Sequence, residues 1–171
     1  MSLAPWRSPL AKALHLNRSL AFSRYFQLAT ITSEGKPANR TVVFRGFLQD
    51  TNQIQIITDS RSEKITQIEG QSWGEICWYF TKTREQFRIS GNLNAIAANC
   101  QDEALKTARI NVWKNLSDSG RIQFAWPDPK QQRSEDNQAF EGLEVSEKQP
   151  VANFCLLLFN PEKVDRLELR G

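Results

Sequence analysis

The segment of residues 40–68, RTVVFRGFLQDTNQIQIITDSRSEKITQI, constrains the fold of this chain most strongly. Runs of β-branched, aromatic and other apolar residues predict strands at 40–48 and 53–58, separated by a turn at 50–52. Ser60 and Glu63 follow the second strand at the spacing of a capping box, which predicts that a helix begins there. The segment therefore predicts two strands followed at once by a helix.

Hydroxyl and cationic side chains are concentrated where this second strand gives way to the helix. They are Thr58, Ser60, Arg61, Ser62 and Lys64. A helix N-terminus offers free backbone N–H groups and a partial positive charge, and such side chains add further donors. Simple capping without a ligand also explains the pattern, and the residues alone leave both interpretations open. The junction is a candidate phosphate site, which directs attention to phosphorylated cofactors, nucleotides and nucleic acid.

Length and composition predict one globular domain over residues 1–171. Three cysteines lie far apart, at positions 77, 100 and 155, without a CxxC pair, so we expect free thiols and no metal site. The N-terminal segment does not resemble a signal peptide, and no apolar run is long enough to span a membrane. These features predict a cytoplasmic protein without a membrane partner.

The rest of the sequence predicts a mainly β (α+β) fold. Further strands are expected at 25–32, 75–80, 85–90, 154–159 and 164–170, with a turn at 160–162 between the last two. Helices are expected at about 8–20, 60–70 and 95–115, with a short one from Ser117 to about residue 124. The first three strands should form an antiparallel meander, and the whole a small barrel with helical covers. Residues 127–150 read as a polar loop that is functional or disordered.

Several motifs occur in an order and spacing that resemble a known family. RTVVFR at 40–45, IITDSRSEK at 56–64 and REQFRISG at 84–91 are similar to the pyridoxamine 5'-phosphate oxidase-like flavoproteins, and to the oxidase-related FMN-binding subfamily in particular. The resemblance extends from about Trp6 to Gly171. It implies a six-stranded antiparallel split β-barrel that dimerises and binds FMN at the subunit interface.

The resemblance also implies roles for residues around the FMN phosphate. Arg40 resembles the strand arginine that binds this phosphate, and Ser62 and Lys64 lie in a second phosphate-binding motif. That motif normally has adjacent Arg and Lys residues after a serine, but Glu63 fills the Arg place here. We therefore expect Arg61, two residues earlier, to reach the same phosphate.

Other matching positions are implied to contact the flavin ring or the substrate. Residues Thr41, Val42 and Val43 would run beside the ring, whereas Ile57 and Thr58 would touch the flavin and the ribityl chain. Gln86 matches a glutamine that contacts the ring. Arg45 stands where the oxidases have a lysine for the phosphate of the substrate.

One departure from the oxidase pattern concerns the C-terminal region. The oxidases carry an R-x-H motif there that binds the substrate, whereas this sequence ends in LELRG and has His15 as its single histidine. FMN binding is therefore better supported by the sequence than oxidation of pyridoxamine phosphate. Flavin carries its own redox chemistry, so no protein nucleophile is required.

Three functions remain open from the sequence. The leading hypothesis is a homodimeric FMN-dependent oxidoreductase of unknown substrate, and the second is a flavin-binding or storage module without catalysis. The third is a small barrel that binds single-stranded nucleic acid through aromatic and basic side chains. A net charge of only +3, with basic residues not gathered in one stripe, argues against nucleic acid.

Overall fold

The computed structural model describes residues 2–127 and 144–169. In chain order the main elements are α1 (Arg7–Leu16), β1 (Tyr25–Ile31), β2 (Pro37–Val43), β3 (Ile54–Asp59), α2 (Glu63–Gly70), β4 (Trp73–Phe80), β5 (Glu85–Ile96), α3 (Glu103–Lys114), α4 (Asp118–Ile122) and β6 (Phe154–Glu168). Short 3-10 turns occupy Ala21–Arg24 and Gln123–Ala125.

The six strands form one antiparallel sheet in the order β2-β1-β4-β5-β6-β3. The sheet curls until its two edge strands meet at one end. There the Arg45 N–H donates to the Gln55 carbonyl at 2.9 Å, and the Gln55 N–H donates to the Gly46 carbonyl at 2.9 Å. Beyond these bonds the edges diverge, so the barrel is closed at one end and open at the other. The predicted six-stranded split barrel with flanking helices is confirmed.

The predicted meander of the first three strands is wrong for the third. Strands β1 and β2 form the expected hairpin, but β3 pairs along its whole length with β6. The chain turns at Gly46, where φ is +100°, and only the beginning of β3 remains next to β2. The apolar strand β6 provides β3 with a full ladder of hydrogen bonds instead.

Aromatic side chains fill the interior of the barrel. The ring of Trp78 lies 4.9 Å from Phe26, 5.0 Å from Phe44 and 5.3 Å from Phe80, measured between ring centroids. Its indole N–H donates to the Ser23 carbonyl at 2.8 Å, which satisfies the one polar group of this buried side chain. Alternate residues of β4 and β5 complete this interior and are buried: Ile76, Trp78, Phe80, Phe87 and Ile89.

The first half of β6 is buried on both faces. Alternate residues Cys155, Leu157 and Phe159 belong to the barrel core, whereas Phe154, Leu156 and Leu158 pack in a second cluster with α3. This double burial explains the unbroken apolar run FCLLLF, because each side of the strand faces its own core. The helix α3 thereby becomes part of the layer behind β3 and β6.

The predicted turn at residues 160–162 is wrong, because β6 continues without interruption to Glu168. A β-bulge between Ser90 and Gly91 of β5 lies opposite this point and pairs Gly91 with Pro161. Proline is tolerated in a strand at such an irregularity. A Cβ atom on Gly91 would lie 2.0 Å from the Asn160 carbonyl oxygen, so only glycine fits there.

Helix boundaries differ from the predictions at several ends. The first helix begins at Arg7 after Trp6, without a side-chain cap, and ends at Leu16 rather than near residue 20. Helix α3 begins only after the Asp102 cap, because β5 extends through Ile96. The predicted Ser117 cap of the next helix is confirmed. Most of the predicted 127–150 loop, residues 128–143, lies outside the described residues.

We predict that Gly91→Ala destabilises the protein by about 2–3 kcal/mol, because the added methyl group meets a backbone oxygen that cannot rotate away. Denaturant unfolding followed by circular dichroism measures this loss. Gly70→Ala is the matched control, since the added Cβ at the end of α2 meets no atom within 4 Å beyond its chain neighbours and the backbone of its own helix. A similar loss in both variants would contradict the steric role of the bulge.

Candidate cofactor site

A cavity of about 730 Å³ lies at the open end of the barrel, between the edges of β2 and β3 and beside the start of α2. Nine of the eleven residues expected to bind a cofactor or substrate line it. They are Arg40, Thr41, Val42, Val43, Arg45, Ile57, Thr58, Ser62 and Lys64. Arg61 and Gln86 do not line this cavity.

The start of α2 is set by two side chains. Ser62 is the N-cap and accepts from the Lys64 N–H at 3.4 Å. The capping box predicted at Ser60 and Glu63 is therefore wrong, and the helix begins at Glu63. The reason is that Asp59 accepts from the Arg61 N–H at 2.8 Å, which holds the preceding residues in a turn. The Ser62 cap thus lies on the wall of the cavity.

Lys64 forms the centre of the cationic end of the cavity. Its ammonium donates to Thr58 Oγ1 at 2.8 Å and to Ser62 Oγ at 3.2 Å, both neutral oxygens. Burial, and next the positive charge of Arg40, lower the pKa of Lys64, whereas Asp59 acts in the opposite direction. A phosphate bound here would receive donors from all three side chains and would offset the repulsion between the two cations.

Arg40 is held in place by four neutral acceptors. One guanidinium nitrogen donates to the Leu28 carbonyl at 3.2 Å, to Thr30 Oγ1 at 2.7 Å and to the Ala38 carbonyl at 3.0 Å. The other donates to Gln67 Oε1 on α2 at 3.0 Å. None of these acceptors carries a charge, and the carboxylate that acts on Arg40 is that of Glu63, which also lines the cavity and favours the charged guanidinium. Burial lowers the pKa of Arg40.

The sequence analysis did not identify Thr30 and Gln67 as parts of the site. Thr30 is fully buried, and its hydroxyl donates to Gln67 Oε1 at 2.5 Å. A signal for Thr30 existed, since it follows Phe26 and Leu28 on the inward face of β1 and is polar. A polar residue at such a position needs a buried partner. Gln67 carried no comparable signal on its helix.

Backbone groups of the two strand edges face each other across the cavity. The Phe44 N–H donates to the Arg24 carbonyl at 2.7 Å, on the side of β1. The Arg45 N–H donates in the opposite direction, to the Gln55 carbonyl of β3. Because backbone groups alternate in direction along an antiparallel strand, those of Thr41 and Val43 also point towards β3. The contact predicted between residues 41–43 and a flavin ring stays a prediction, and this geometry makes it possible.

The wall opposite the strands was also missed by the sequence analysis. It is formed by the α4 region through Ser117, Ser119, Gly120, Gln123 and Phe124. The sequence indicated Ser117 only as the start of a short helix, and in the structure its hydroxyl caps that helix by accepting from the Gly120 N–H at 3.1 Å. No motif connects residues 117–124 with residues 40–64, so only the tertiary fold reveals that they share a cavity.

Arg61 points to an acidic partner rather than into the cavity. Its guanidinium donates to both carboxylate oxygens of Asp59, at 2.9 and 2.6 Å, and to the Trp126 carbonyl at 3.1 Å. Burial acts to raise the pKa of Asp59, but hydrogen bonds from Arg61 and Asn153 outweigh it and lower that pKa. The predicted contact between Arg61 and a phosphate stays a prediction.

Gln86 lies on another part of the sheet. On β5 it is opposite Tyr79 of β4 and Leu167 of β6, on the outward face. Its predicted contact with a flavin ring therefore requires a cofactor held by a second copy of the chain. Among the described residues, no group of three or more potential metal ligands occurs, and no helix is long and apolar enough to cross a membrane.

Comparison with known proteins identifies the family. The model of the pyridoxamine 5'-phosphate oxidase FMN-binding domain matches residues 3–97. The pyridoxine/pyridoxamine 5'-phosphate oxidase 2 of Arabidopsis thaliana is 40% identical over 168 residues, which are 98% of this chain and 85% of the plant protein. An oxidase of Rhizobium leguminosarum bv. trifolii is 31% identical over 90 residues, 50% of this chain and 43% of its own. This chain belongs to the pyridoxamine 5'-phosphate oxidase-like family of FMN-binding proteins.

Solved structures agree with this assignment. An oxidase-related FMN-binding protein from Nostoc punctiforme is 56% identical, with a TM-score of 0.97 over 100% of this chain and 88% of its own. PhzG from Burkholderia lata, solved with tetrahydrophenazine-1-carboxylic acid, has a TM-score of 0.73 at 18% identity, covering 95% and 77% of the two chains. The heme storage protein HutZ from Vibrio cholerae has a TM-score of 0.56 at 12% identity, covering 93% and 94%. The last two share the fold alone.

FMN is the cofactor of this family, and the cavity fits it. Lys64, Thr58 and Ser62 supply the donors that a phosphate needs, and Arg40 adds a second positive charge. The edges of β2 and β3 offer backbone donors and acceptors for the polar rim of a flavin ring. The apolar residues Val42, Val43 and Ile57 line the same cavity.

We predict that Lys64→Met weakens FMN binding about 10- to 100-fold, because a charge-assisted hydrogen bond contributes about 1.5–3 kcal/mol. The melting temperature of the FMN-free protein should not fall, since the variant removes an ammonium group that burial and Arg40 disfavour. Fluorescence titration and thermal unfolding measure the two effects.

Lys106→Met is the control for this experiment, because Lys106 is a lysine of α3 that pairs with Glu103 outside the cavity. It should bind FMN as the unmodified protein does. Unchanged FMN affinity in Lys64→Met would contradict the phosphate site. A parallel loss of affinity and stability would indicate a merely structural lysine.

Proposed function

We propose that the protein is an FMN-dependent oxidoreductase whose substrate carries an anionic group, with Arg45 as the substrate-binding residue. The observation that carries this proposal is the distance between two cationic residues, Arg40 on β2 and Arg45 in the segment that follows β2. Arg45 lies five residue steps after Arg40, which at ~3.3 Å per residue is roughly 16 Å. Arg45 is therefore too far from the Lys64 end to bind the same phosphate, although both residues line one cavity.

FMN, when bound, would supply two-electron redox chemistry that no amino acid side chain provides. The residues of the chain would bind and orient. Lys64, Thr58 and Ser62 would hold the phosphate, with Arg40 adding positive charge, and the backbone at 41–43 would position the ring. Arg45 would then fix the anionic end of the substrate, so that its reacting carbon faces the ring.

Anaerobic mixing of the FMN-loaded protein with pyridoxine 5'-phosphate tests this proposal. We expect loss of visible flavin absorbance and its return on admission of air. Pyridoxine without the phosphate should act more slowly, since Arg45 then has no anion to bind. A flavin that stays oxidised with every phosphorylated pyridine tried would support the alternative, a flavin-binding or storage module.

We also propose that the protein is a homodimer with FMN at the interface. Support comes from the outward face of the sheet around Gln86, where Tyr79 is 40% exposed and Leu167 is 50% exposed. Exposed apolar side chains beside a polar residue implied to contact flavin favour contact with a second copy. Gln86 of one copy would then reach the flavin held by the other.

We predict that Leu167→Glu shifts the protein towards the monomer and weakens FMN binding, because a carboxylate would be buried in the proposed interface. Sedimentation velocity and FMN titration measure these effects. Leu3→Glu is the control, since Leu3 is equally exposed, at 52%, but lies near the N-terminus away from this face. A Leu167→Glu protein that remains a dimer with normal FMN affinity would contradict the proposed interface.

We also propose that the protein is cytoplasmic and that residues 1–171 form a single domain. The cytoplasmic location is supported by three free cysteines, Cys77, Cys100 and Cys155. Burial raises the pKa of the Cys155 thiol to about 11, so this side chain remains a neutral thiol. Free thiols are typical of a reducing compartment.

A further inference from the structure

A second open cleft, of about 850 Å³, adjoins the cofactor cavity. It lies between the turn that follows β2 and the exposed side of α3. Val43 and Arg45 line both spaces, so the two communicate along β2. A molecule bound in this cleft would therefore have one of its ends next to the cofactor cavity. It would meet the cavity on the side opposite Lys64.

Two arginines line this cleft. Arg45 comes from the turn after β2, and Arg24 from the 3-10 turn before β1, where its guanidinium carbon lies 5.6 Å from the centre of the Phe44 ring. The ion pairs found within residues 2–127 and 144–169 involve other cations. Burial, and next the charge of Arg24, lower the pKa of Arg45. Two adjacent cations without a carboxylate favour an anion from outside the chain.

The opposite wall of the cleft, formed by α3 and the residues just after it, combines polar and apolar residues. Thr107, Asn111 and the C-cap Asn115 lie four residues apart, so they share one exposed face of the helix, and all three line the cleft. Helix α3 lies outside residues 3–97, the part matched by the family model. The cleft thus brings together Arg45, which lies within the part of the chain that the family model matches, and α3, which lies beyond it.

We propose that Arg24 is a further substrate-binding residue, which joins Arg45 in binding the phosphate monoester of a substrate that lies in this cleft against α3. The inference rests on the proposed oxidoreductase function and adds Arg24 to its substrate site. A phosphate monoester carries about −1.5 to −2 charges near pH 7, which two guanidinium groups match better than they match a carboxylate.

Calorimetric titration of the FMN-loaded full chain tests this proposal, with pyridoxine 5'-phosphate, pyridoxine and nicotinate as probes. The unmodified protein should bind the phosphate ester more tightly than the alcohol or the carboxylate. Arg24→Gln should weaken binding of the ester about 10- to 100-fold and leave binding of pyridoxine unchanged. Arg24→Lys should restore part of the affinity, since it restores the charge without the planar fork.

Arg18→Gln is the matched control, because Arg18 is an exposed arginine nearby that bonds to His15 and does not line the cleft. It should bind the ester normally, and both glutamine variants should bind FMN within about twofold of the unmodified protein. Unchanged ester affinity in Arg24→Gln, an equal loss of FMN affinity, or tighter binding of nicotinate would overturn the proposal. So would equal or absent binding of pyridoxine and its phosphate.

This experiment separates the inference from the proposed function. Phosphate-selective binding that depends on Arg24, with a flavin that stays oxidised, would support the two-arginine site and contradict the oxidoreductase. Flavin reduction by a substrate whose affinity is unchanged in Arg24→Gln would support the oxidoreductase and contradict the two-arginine site.

Discussion

The separation of β2 from β3 is the constraint on which the rest of this structure depends. The two edge strands share hydrogen bonds only near Arg45 and Gln55, and β3 then follows β6. A fully closed barrel would use its backbone groups for pairing between strands. Here the open edges leave backbone groups directed into a cavity, and the junction of β3 with α2 supplies Lys64 to the same place. The cofactor site is thus a direct result of incomplete closure.

The cations Arg40 and Lys64 favour an anion in this opening, where Asp59 and Glu63 supply carboxylates to the same lining. Arg40 and Lys64 lie close enough for the first to lower the pKa of the second, and neutral acceptors hold both. Without a ligand the arrangement costs free energy, because two partly buried cations repel each other. Buried Thr30 and half-buried Gln67, which are hydrogen-bonded to each other, keep Arg40 from turning away to solvent. The fold therefore stores an unfavourable interaction that a phosphate converts into a favourable one.

The sequence predicted the strands, the segments around the site and the family, because hydrophobic period and motif order are local properties. It did not predict that β3 pairs with β6, since alternation identifies the buried face of a strand but not its partner. The cap moved from Ser60 to Ser62 because Asp59 binds Arg61, a competition between two local bonds. The α4 wall and the α3 side of the second cleft arise from tertiary packing, for which the sequence offered no pattern.

The double-sided burial of residues 154–159 has a consequence for how members of such a family can diverge. One side of this strand supports the barrel, while Leu156 and Leu158 support α3. A change of side-chain volume at those two positions would displace the helix without disturbing the aromatic interior around Trp78. Substitutions on the α3 side of this strand would therefore allow members of the family to acquire new ligands. The residues on the barrel side would meanwhile conserve the architecture that holds the flavin.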